Sequence, residues 1–313
     1  MDNLLQGNVL DRIKDIPGKS IQCVVTSPPY WGLRNYGEEE QLGLESTPEE
    51  YVHHMVQVFR GVRDAMKDDG TLWLNIGDSY ASSGQFGKPG EQAIGPKELS
   101  YGRAPTPPGL KVKDLVGIPW RLAFALQRDD WFLRQDIIWA KGNPMPESVK
   151  DRCTKSHEYI FLLTKRPRYY FDYKAIAEKS IYFEIDKRAK LGRVPHKSGK
   201  SASENSQYAI NGVGFSDDGL KNKRSVWTVT TKPFKGAHFA VFPMDLIEPC
   251  GLAGCPEGGT VLDPFGGSGT TGLVAQNNNR NAILLELNPE YIEIAESRLY
   301  PAQRDFLKAR IVA

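Results

Sequence analysis

The sequence predicts an α/β protein built on a doubly wound, mostly parallel β-sheet. Strand-like runs rich in Val, Ile and Leu alternate with helix-like runs over most of the 313 residues. A glycine-rich loop at 263–272 lies between one strand and the next helix, and an acidic residue ends the following strand. This combination is typical of Rossmann-like sheets that bind a nucleoside-containing ligand.

The first elements are a short strand and turn in LLQGNVL, a brief helical stretch in DRIKDIP and a strand in IQCVVTS. Residues 47–66 predict the strongest helix, because Thr47 offers an N-cap, Pro48 takes the first helical position and Glu50 completes a capping box. Its apolar face consists of Tyr51, Met55, Val58, Phe59 and Val62. Asp69-Gly70 is expected to end this helix before the strand TLWLNIG.

Two segments interrupt the alternation. Residues 82–113 are rich in Gly and Pro, and a loop of this length just beyond a strand end predicts a mobile lid. Residues 174–226 predict a partly flexible insert. The stretch 187–235 carries eleven Lys or Arg against three Asp or Glu, which suits contacts to phosphate groups.

The remaining runs resume the sheet. IPWRLAFALQRDD predicts a helix, and WFLRQDIIWAK and HEYIFLLTK predict strands. After residue 241 the chain predicts the helix MDLIEPCGLA, the strand GTVLDPF, the helix TTGLVAQNN, the strand NAILLELN and the helix PEYIEIAESRL.

Composition sets limits on the class of protein. With 40% hydrophobic and 25% charged residues the chain is ordinary globular material. No apolar run approaches the roughly 18 residues of a membrane span, and the first residues lack the pattern of a signal peptide. We therefore expect a cytoplasmic protein without a membrane partner. Cys250 and Cys255 have no neighbouring His or Cys pair, so we expect no metal site.

The glycine loop indicates which cofactor binds. Gly267, Gly269 and Gly272 form a G-x-G-x-x-G pattern, and Glu286 ends the next strand, where a carboxylate can accept hydrogen bonds from ribose hydroxyls. The loop lies late in the sequence, unlike that of a dehydrogenase. Asp263 precedes the glycines and suits the ammonium group of a methionine moiety better than a pyrophosphate. S-adenosylmethionine is therefore the predicted cofactor.

A second motif, TSPPYWG at 26–32, follows the strand that contains Cys23. Two prolines stop the strand ladder because neither donates a backbone hydrogen bond. With the cofactor loop, this motif makes the sequence resemble the β class of amino-group DNA methyltransferases, in which the catalytic motif precedes the cofactor motif. Residues 26–30 match the S/D/N-P-P-Y/F motif, 263–269 match the cofactor loop, and HFAVFP at 238–243 resembles the element that packs on the methionine moiety.

The resemblance implies a circularly permuted class I methyltransferase sheet with an inserted target-recognition region. The implied division is a catalytic half at 1–173, the insert at 174–226 and a cofactor-binding half at 227–313. The implied substrate is double-stranded DNA with the target nucleotide flipped out of the helix.

The resemblance also implies roles for individual residues. The catalytic residues are Ser27, Pro28, Pro29 and Tyr30. The residues that bind S-adenosylmethionine are Asn8, His238, Phe242, Asp263, Phe265, Gly267, Ser268, Gly269, Thr270 and Glu286. The residues that bind DNA are Lys187, Arg188, Lys190, Arg193, Lys221, Lys223 and Arg224.

The predicted product is N4-methylcytosine, because Ser at the first motif position is more typical of cytosine-N4 enzymes than of adenine-N6 enzymes. N6-adenine methylation is the alternative. A cytosine-C5 enzyme would need a cysteine nucleophile, and Cys250 lies in a predicted helix away from the catalytic strand. An RNA or protein methyltransferase and an inactive DNA-binding homologue are less favoured by the motifs. The sequence does not determine which DNA site is recognised. It also does not determine whether the protein forms a homodimer, or whether a restriction endonuclease partner acts on the same site.

Overall fold

The computed structural model describes residues 3–33, 36–38, 40–81, 106–179, 220–231 and 242–301. These belong to two compact units, one formed by 1–171 with 225–313 and the other by 172–224. The predicted lid at 82–113 is described only from residue 106, so its first part lies outside the described residues.

The larger unit is organised by an eight-stranded sheet in the order β1-β10-β9-β2-β3-β5-β4-β8. Five neighbouring pairs are parallel, and β5 runs antiparallel to both β3 and β4. The strands are β1 Asn3–Gln6, β2 Ile21–Thr26, β3 Met66–Ile76, β4 Phe132–Ala140, β5 His157–Thr164, β6 Glu178–Lys179, β7 Leu220–Lys221, β8 Val226–Thr228, β9 Thr260–Asp263 and β10 Asn281–Glu286. The prediction of a doubly wound, mostly parallel sheet is confirmed.

Six α-helices are described, together with a 3₁₀ turn at Ile13–Asp15. They are α1 Val9–Arg12, α2 Pro48–Ala65, α3 Ile118–Arg128, α4 Met244–Gly254, α5 Thr270–Asn277 and α6 Pro289–Leu299. No described helix is long and apolar enough to cross a membrane.

The helices cover both faces of the sheet. Val24 of β2 belongs to the apolar core that α1, α2 and α3 close. Its neighbour Cys23 contacts the Cys250 carbonyl of α4 instead. Successive residues of a strand point to opposite faces, so α4 lies on the other side of the sheet from α2. Helices therefore flank β2 on both faces, and all six residues of this strand are buried.

Helix α2 has the predicted N-terminus. The Thr47 hydroxyl accepts a hydrogen bond from the Glu50 amide, and the Glu50 carboxylate accepts one from the Thr47 amide. All five residues of the predicted apolar face are fully buried. The prediction that Asp69-Gly70 separates helix from strand was wrong, since β3 begins at Met66. Met66 pairs with Ile21 and is buried, and a register shift follows before the pairing resumes at Thr71.

The smaller unit is described at 172–179 and 220–224. Its strands β6 and β7 form an antiparallel pair in which Glu178 lies opposite Lys221. Residues 225 and 226, which the sequence placed in the insert, belong to the larger unit, where Val226 pairs with Ile138 of β4.

Candidate active site

The candidate site lies where the carboxyl ends of β2 and β9 meet. These strands pair in parallel, yet the chain runs from β9 to β10 on one side and from β2 to β3 on the other. Ligands of open α/β sheets bind at such a switch point. The two sequence motifs follow these strands directly, so the fold brings them together.

One cavity at this edge collects most of the predicted residues. Its lining includes Asn8, Ser27, Pro29, Phe242, Asp263, Phe265, Gly267, Ser268, Thr270 and Glu286. Pro28 and Tyr30 lie in the same loop as Ser27, and Gly269 is the N-cap of α5. His238 lies outside the described residues.

Asp263 is the most deeply buried acid of the cavity, with 1% of its surface exposed. Its carboxylate accepts hydrogen bonds from the hydroxyls of Thr26 and Thr271, each at 2.6 Å, and from the Phe265 amide at 3.1 Å. Burial raises the pKa of Asp263 from 3.8 to about 6, although these hydrogen bonds oppose the rise. The same carboxylate therefore ties β2 to the glycine loop and places negative charge at the cavity wall.

Glu286 closes the other side of the glycine loop. One carboxylate oxygen accepts a hydrogen bond from the Gly267 amide at 2.7 Å, and the other accepts one from the Asn288 amide at 2.9 Å. Burial raises the pKa of Glu286, while the backbone hydrogen bonds oppose this. A carboxylate offers about four acceptor positions over its two oxygens, and Glu286 lines the cavity, so it can accept a further hydrogen bond from a ligand hydroxyl there.

The backbone of this loop requires glycine. Gly269 has φ +80°, and a Cβ there would lie 3.0 Å from the Ala295 Cβ of α6. Gly267 has φ +50°, and a Cβ there would meet only the Phe265 carbonyl oxygen, at 4.0 Å. The first feature lets α6 pack against the loop, and the second keeps the loop surface open to a ligand.

Arg298 of α6 forms hydrogen bonds to the glycine-rich loop. Its guanidinium donates hydrogen bonds to the Ser268 carbonyl, to the Ser268 hydroxyl at 2.7 Å and to the Thr270 hydroxyl at 3.2 Å. Sequence reasoning missed this residue, because a single Arg in an amphipathic helix is usually a surface charge. Its position 28 residues after Thr270 gives no local signal.

The TSPPYWG segment at 26–32, called the proline loop below, is held by several contacts. Tyr51 of α2 donates a hydrogen bond to the Pro29 carbonyl at 2.9 Å. Gly43 lies against Pro29, where a Cβ would come within 3.2 Å of the proline ring. The Trp31 indole donates to the Glu45 carbonyl at 2.9 Å. The loop that carries Ser27 is therefore braced by groups that sequence reasoning did not assign to the site.

The Tyr30 hydroxyl lies in a polar network. It donates to the Glu158 carboxylate at 2.7 Å and lies 3.3 Å from the Asn75 side-chain oxygen. The Ser27 hydroxyl donates to it at 3.5 Å. Burial, followed by the charge of Glu158, raises the pKa of Tyr30 well above its usual value. Tyr30 therefore stays protonated at neutral pH and acts as a hydrogen-bond donor.

A segment that the sequence did not single out forms another wall of the cavity. Tyr36, Glu38 and the stretch 40–42 line it. Asn8 donates a hydrogen bond to the Glu40 carboxylate at 3.0 Å, and Asn288 donates to the Tyr36 carbonyl at 3.3 Å. Asn8 was predicted to bind the cofactor, and its amide is here engaged with this segment.

The predicted DNA-binding residues divide into two groups. Lys187, Arg188, Lys190 and Arg193 lie outside the described residues. Lys221 and Lys223 in the smaller unit form ion pairs with Glu178 at 3.8 and 3.4 Å. Arg224 also lies in this unit. Glu178 therefore offsets part of the positive charge that the sequence suggested.

The cysteines have no place in this site. Cys250 is fully buried in α4 and is not part of the cavity lining. Within the described part of the chain, no cluster of three or more His, Cys, Asp or Glu residues could hold a metal ion. The geometry thus gives no support to a cysteine nucleophile for ring activation.

The fold and the paired motifs define a methyltransferase, and comparison with known proteins identifies its class. The family model described as DNA methylase, of the N6/N4 methyltransferases, matches residues 21–297. The chain therefore belongs to the N6/N4 DNA methylase family, which confirms the resemblance inferred from the motifs.

Similar proteins include several Type II methyltransferases. M.XycI of Xanthomonas campestris pv. cyanopsidis is 48% identical over 296 residues, which cover 95% of this chain and 87% of M.XycI. M.Cfr9I of Citrobacter freundii is 47% identical with the same coverage. M.SmaI of Serratia marcescens is 46% identical, with 95% and 90% covered.

Solved structures share the fold at lower identity. The PvuII DNA methyltransferase, titled cytosine-N4-specific, superposes with a TM-score of 0.61 at 19% identity and covers 94% of this chain and 85% of its own. TTHA0409 of Thermus thermophilus, complexed with S-adenosyl-L-methionine, superposes with a TM-score of 0.55 at 21% identity, with 96% and 93% covered.

Proposed function

We propose that this chain transfers a methyl group from S-adenosylmethionine to the exocyclic N4 of a cytosine flipped out of double-stranded DNA. The observation that carries the proposal is Ser27, a neutral hydroxyl at the cavity wall beside the Tyr30 hydroxyl. The PvuII enzyme, whose title reads cytosine-N4-specific, supports the same target.

The residues of the cavity fit the proposed cofactor. Asp263 provides a buried negative charge for an ammonium group, and the Glu286 carboxylate lines the cavity as a hydrogen-bond acceptor for ribose hydroxyls. Phe265 and Phe242 add apolar surface to the lining. When bound, S-adenosylmethionine supplies an electrophilic methyl group. TTHA0409, which has the same fold, was solved with this molecule.

The proline loop then positions the amino group of the target base. The Ser27 hydroxyl and the Pro28 carbonyl would accept hydrogen bonds from the amino group, which directs the nitrogen lone pair toward the methyl group. Tyr30 would stack on the extruded ring. Serine is too weak a base to remove the proton beforehand, so the main contribution of this loop is orientation.

A neutral hydroxyl at position 27 favours cytosine. The hydroxyl can lie beside the N3/O2 acceptor edge of cytosine without electrostatic repulsion, whereas a carboxylate at this position would be repelled by that edge. The Type II names of the relatives support a role in restriction and modification. In that role a restriction endonuclease acting on the same site would be the functional partner.

Two measurements test this proposal. Ser27→Ala should abolish most methyl transfer from tritiated S-adenosylmethionine while leaving cofactor and DNA binding largely intact. Ser20→Ala serves as the control, because its hydroxyl bonds the Pro17 carbonyl away from the cavity. Near-normal turnover of Ser27→Ala would remove Ser27 from the mechanism.

The product decides between the two amino targets. Methylated DNA is digested to nucleosides, which are weighed by mass spectrometry. We expect N4-methylcytosine. N6-methyladenine as the sole product would overturn the cytosine assignment and leave the family and cofactor unaffected.

A further inference from the structure

The Glu158 carboxylate lies at the same edge of the sheet as Ser27 and Tyr30, because its strand β5 runs opposite to the neighbouring strand β3. β5 runs antiparallel to β3, so the amino end of β5 meets the carboxyl end of β3, with Tyr159 opposite Ile76. Glu158 directly precedes Tyr159. Its side chain is 14% exposed, and it approaches the Tyr30 hydroxyl at 2.7 Å.

The surroundings of Glu158 hold it in one orientation. Lys141, which follows β4, forms an ion pair with it. Asn75, 3% exposed, donates a hydrogen bond to the Tyr159 carbonyl at 3.0 Å and lies 3.4 Å from the Glu158 carboxylate. Gly77 leaves room for the tyrosine, since a Cβ there would lie 2.6 Å from the ring carbon Cε2 of Tyr30.

The hydrogen bonds run in one direction. The Ser27 hydroxyl donates to the Tyr30 oxygen, and the Tyr30 hydroxyl donates to the Glu158 carboxylate. The first contact is long at 3.5 Å; catalytic hydrogen bonds are often long in the absence of substrate and shorten in the substrate complex. The chain of hydrogen bonds from Ser27 through Tyr30 thus ends at the Glu158 carboxylate. If Ser27 only oriented the amino group, no carboxylate would be needed at that position.

We infer that Glu158 is the terminal proton acceptor of the reaction and acts through Tyr30 and Ser27. This inference rests on the proposed function. As the new N–C bond forms, the C–S bond of the methyl donor breaks and its electron pair stays on sulfur. The amino nitrogen then carries one proton too many.

That proton passes to the Ser27 oxygen as the Ser27 proton moves to Tyr30 and the Tyr30 proton moves to Glu158. Both hydroxyls end neutral, Glu158 ends as a carboxylic acid, and the proton later returns to solvent. During methyl transfer the negative carboxylate also favours the positive charge that develops on nitrogen. Glu158 is therefore a positioning and proton-accepting residue that does not contact the base.

The test uses three variants of the full chain. Glu158→Gln keeps a hydrogen-bonding group beside Tyr30 but cannot take a proton. Tyr30→Phe removes the middle hydroxyl without a change of charge. Glu158→Asp restores the carboxylate. Glu257→Gln, at an exposed position outside the cavity, is the matched control.

Single-turnover methylation is measured on a duplex carrying the site that the wild-type enzyme methylates. We expect Glu158→Gln and Tyr30→Phe each to slow methyl transfer about 100-fold or more, the range of general acid–base catalysis. The double variant should be no slower than the slower single variant, and Glu158→Asp should recover part of the rate. The dissociation constants for S-adenosylmethionine and DNA, and pyrrolocytosine fluorescence as a measure of base flipping, should stay within about twofold for Glu158→Gln.

Two results would overturn the inference. One is a normal rate for Glu158→Gln, and the other is a double variant whose loss is the product of the two single losses. If Glu158→Gln fails to fold, a wild-type rate for Tyr30→Phe would overturn it equally. Failure of the proposed function is recognised separately, because the wild-type enzyme itself would then yield no N4-methylcytosine.

Discussion

Asp263→Asn separates the charge of this residue from its hydrogen bonds. Asn keeps an oxygen that can accept from Thr26 and from the Phe265 amide. Its amino group can donate to the Thr271 hydroxyl, which lies 3.5 Å from the Val25 carbonyl and can donate there instead. The three groups that bond Asp263 in the wild type each keep a hydrogen-bond partner, so the fold should survive the substitution.

The expected effect on stability follows from the pKa of Asp263. Its folded-state value of about 6 lies above the ordinary 3.8. The unfolded chain ionises first as pH rises, so the folded state loses stability between about pH 4 and 6 and carries a constant cost above that. The difference corresponds to about 3 kcal/mol. Asp263→Asn lacks this cost and should be at least as stable as wild type at pH 7.5, with no advantage below pH 4.

Cofactor binding should change in the opposite sense. A hydrogen bond to a charged group contributes about 1.5–3 kcal/mol, so calorimetry at pH 7.5 should show S-adenosylmethionine binding weakened tenfold or more. In wild type the affinity should fall as pH decreases through about 6, since protonation removes the charge. The variant should have a flatter profile.

The control for this experiment is Asp136→Asn, at an exposed position of β4. If Asp263→Asn binds the cofactor within twofold of wild type at pH 7.5, Asp263 only builds the loop. The cofactor ammonium would then have to meet another group.

Three further predictions concern the loop and the insert. Glu286→Ala should weaken S-adenosylmethionine binding about tenfold or more in calorimetry, because it removes a charged acceptor; unchanged affinity would exclude a ribose contact. Arg298→Ala should raise the same dissociation constant several-fold, since the Ser268 carbonyl loses its donor; equal affinity would show that the loop holds its shape unaided. Neutralising Lys221, Lys223 and Arg224 should weaken DNA binding and flatten its salt dependence; an unchanged salt slope would place DNA recognition elsewhere.

Much of the fold could be predicted from sequence because the signals are local. The capping box at Thr47 and the glycine loop before α5 each specify their element within a few residues. The end of α2 was less clear. Asp69-Gly70 reads as a helix terminator, but burial of Met66 against Ile21 begins the strand earlier.

The sequence predicted the site residues that lie within the motifs, but not the residues elsewhere in the chain that contact them. Tyr30 and Glu158 are 128 residues apart, and no local pattern shows that β5 inserts antiparallel between β3 and β4. The partnership of Thr26 with Asp263 spans 237 residues and depends on β2 pairing with β9. Contacts of this kind follow from strand order, which periodicity does not encode.

The strand order has a consequence for synthesis on the ribosome. β2 needs β9 at one edge and β1 needs β10, and both partners emerge only after Thr260 and the residues that follow it have been translated. Until then the catalytic strand has one unpaired edge, and the cavity lacks Asp263 and Glu286. A nascent chain should therefore be unable to hold the cofactor, and a product arrested before β9 should aggregate through that open edge. Methylating activity thus appears only when nearly all of the sheet has been made.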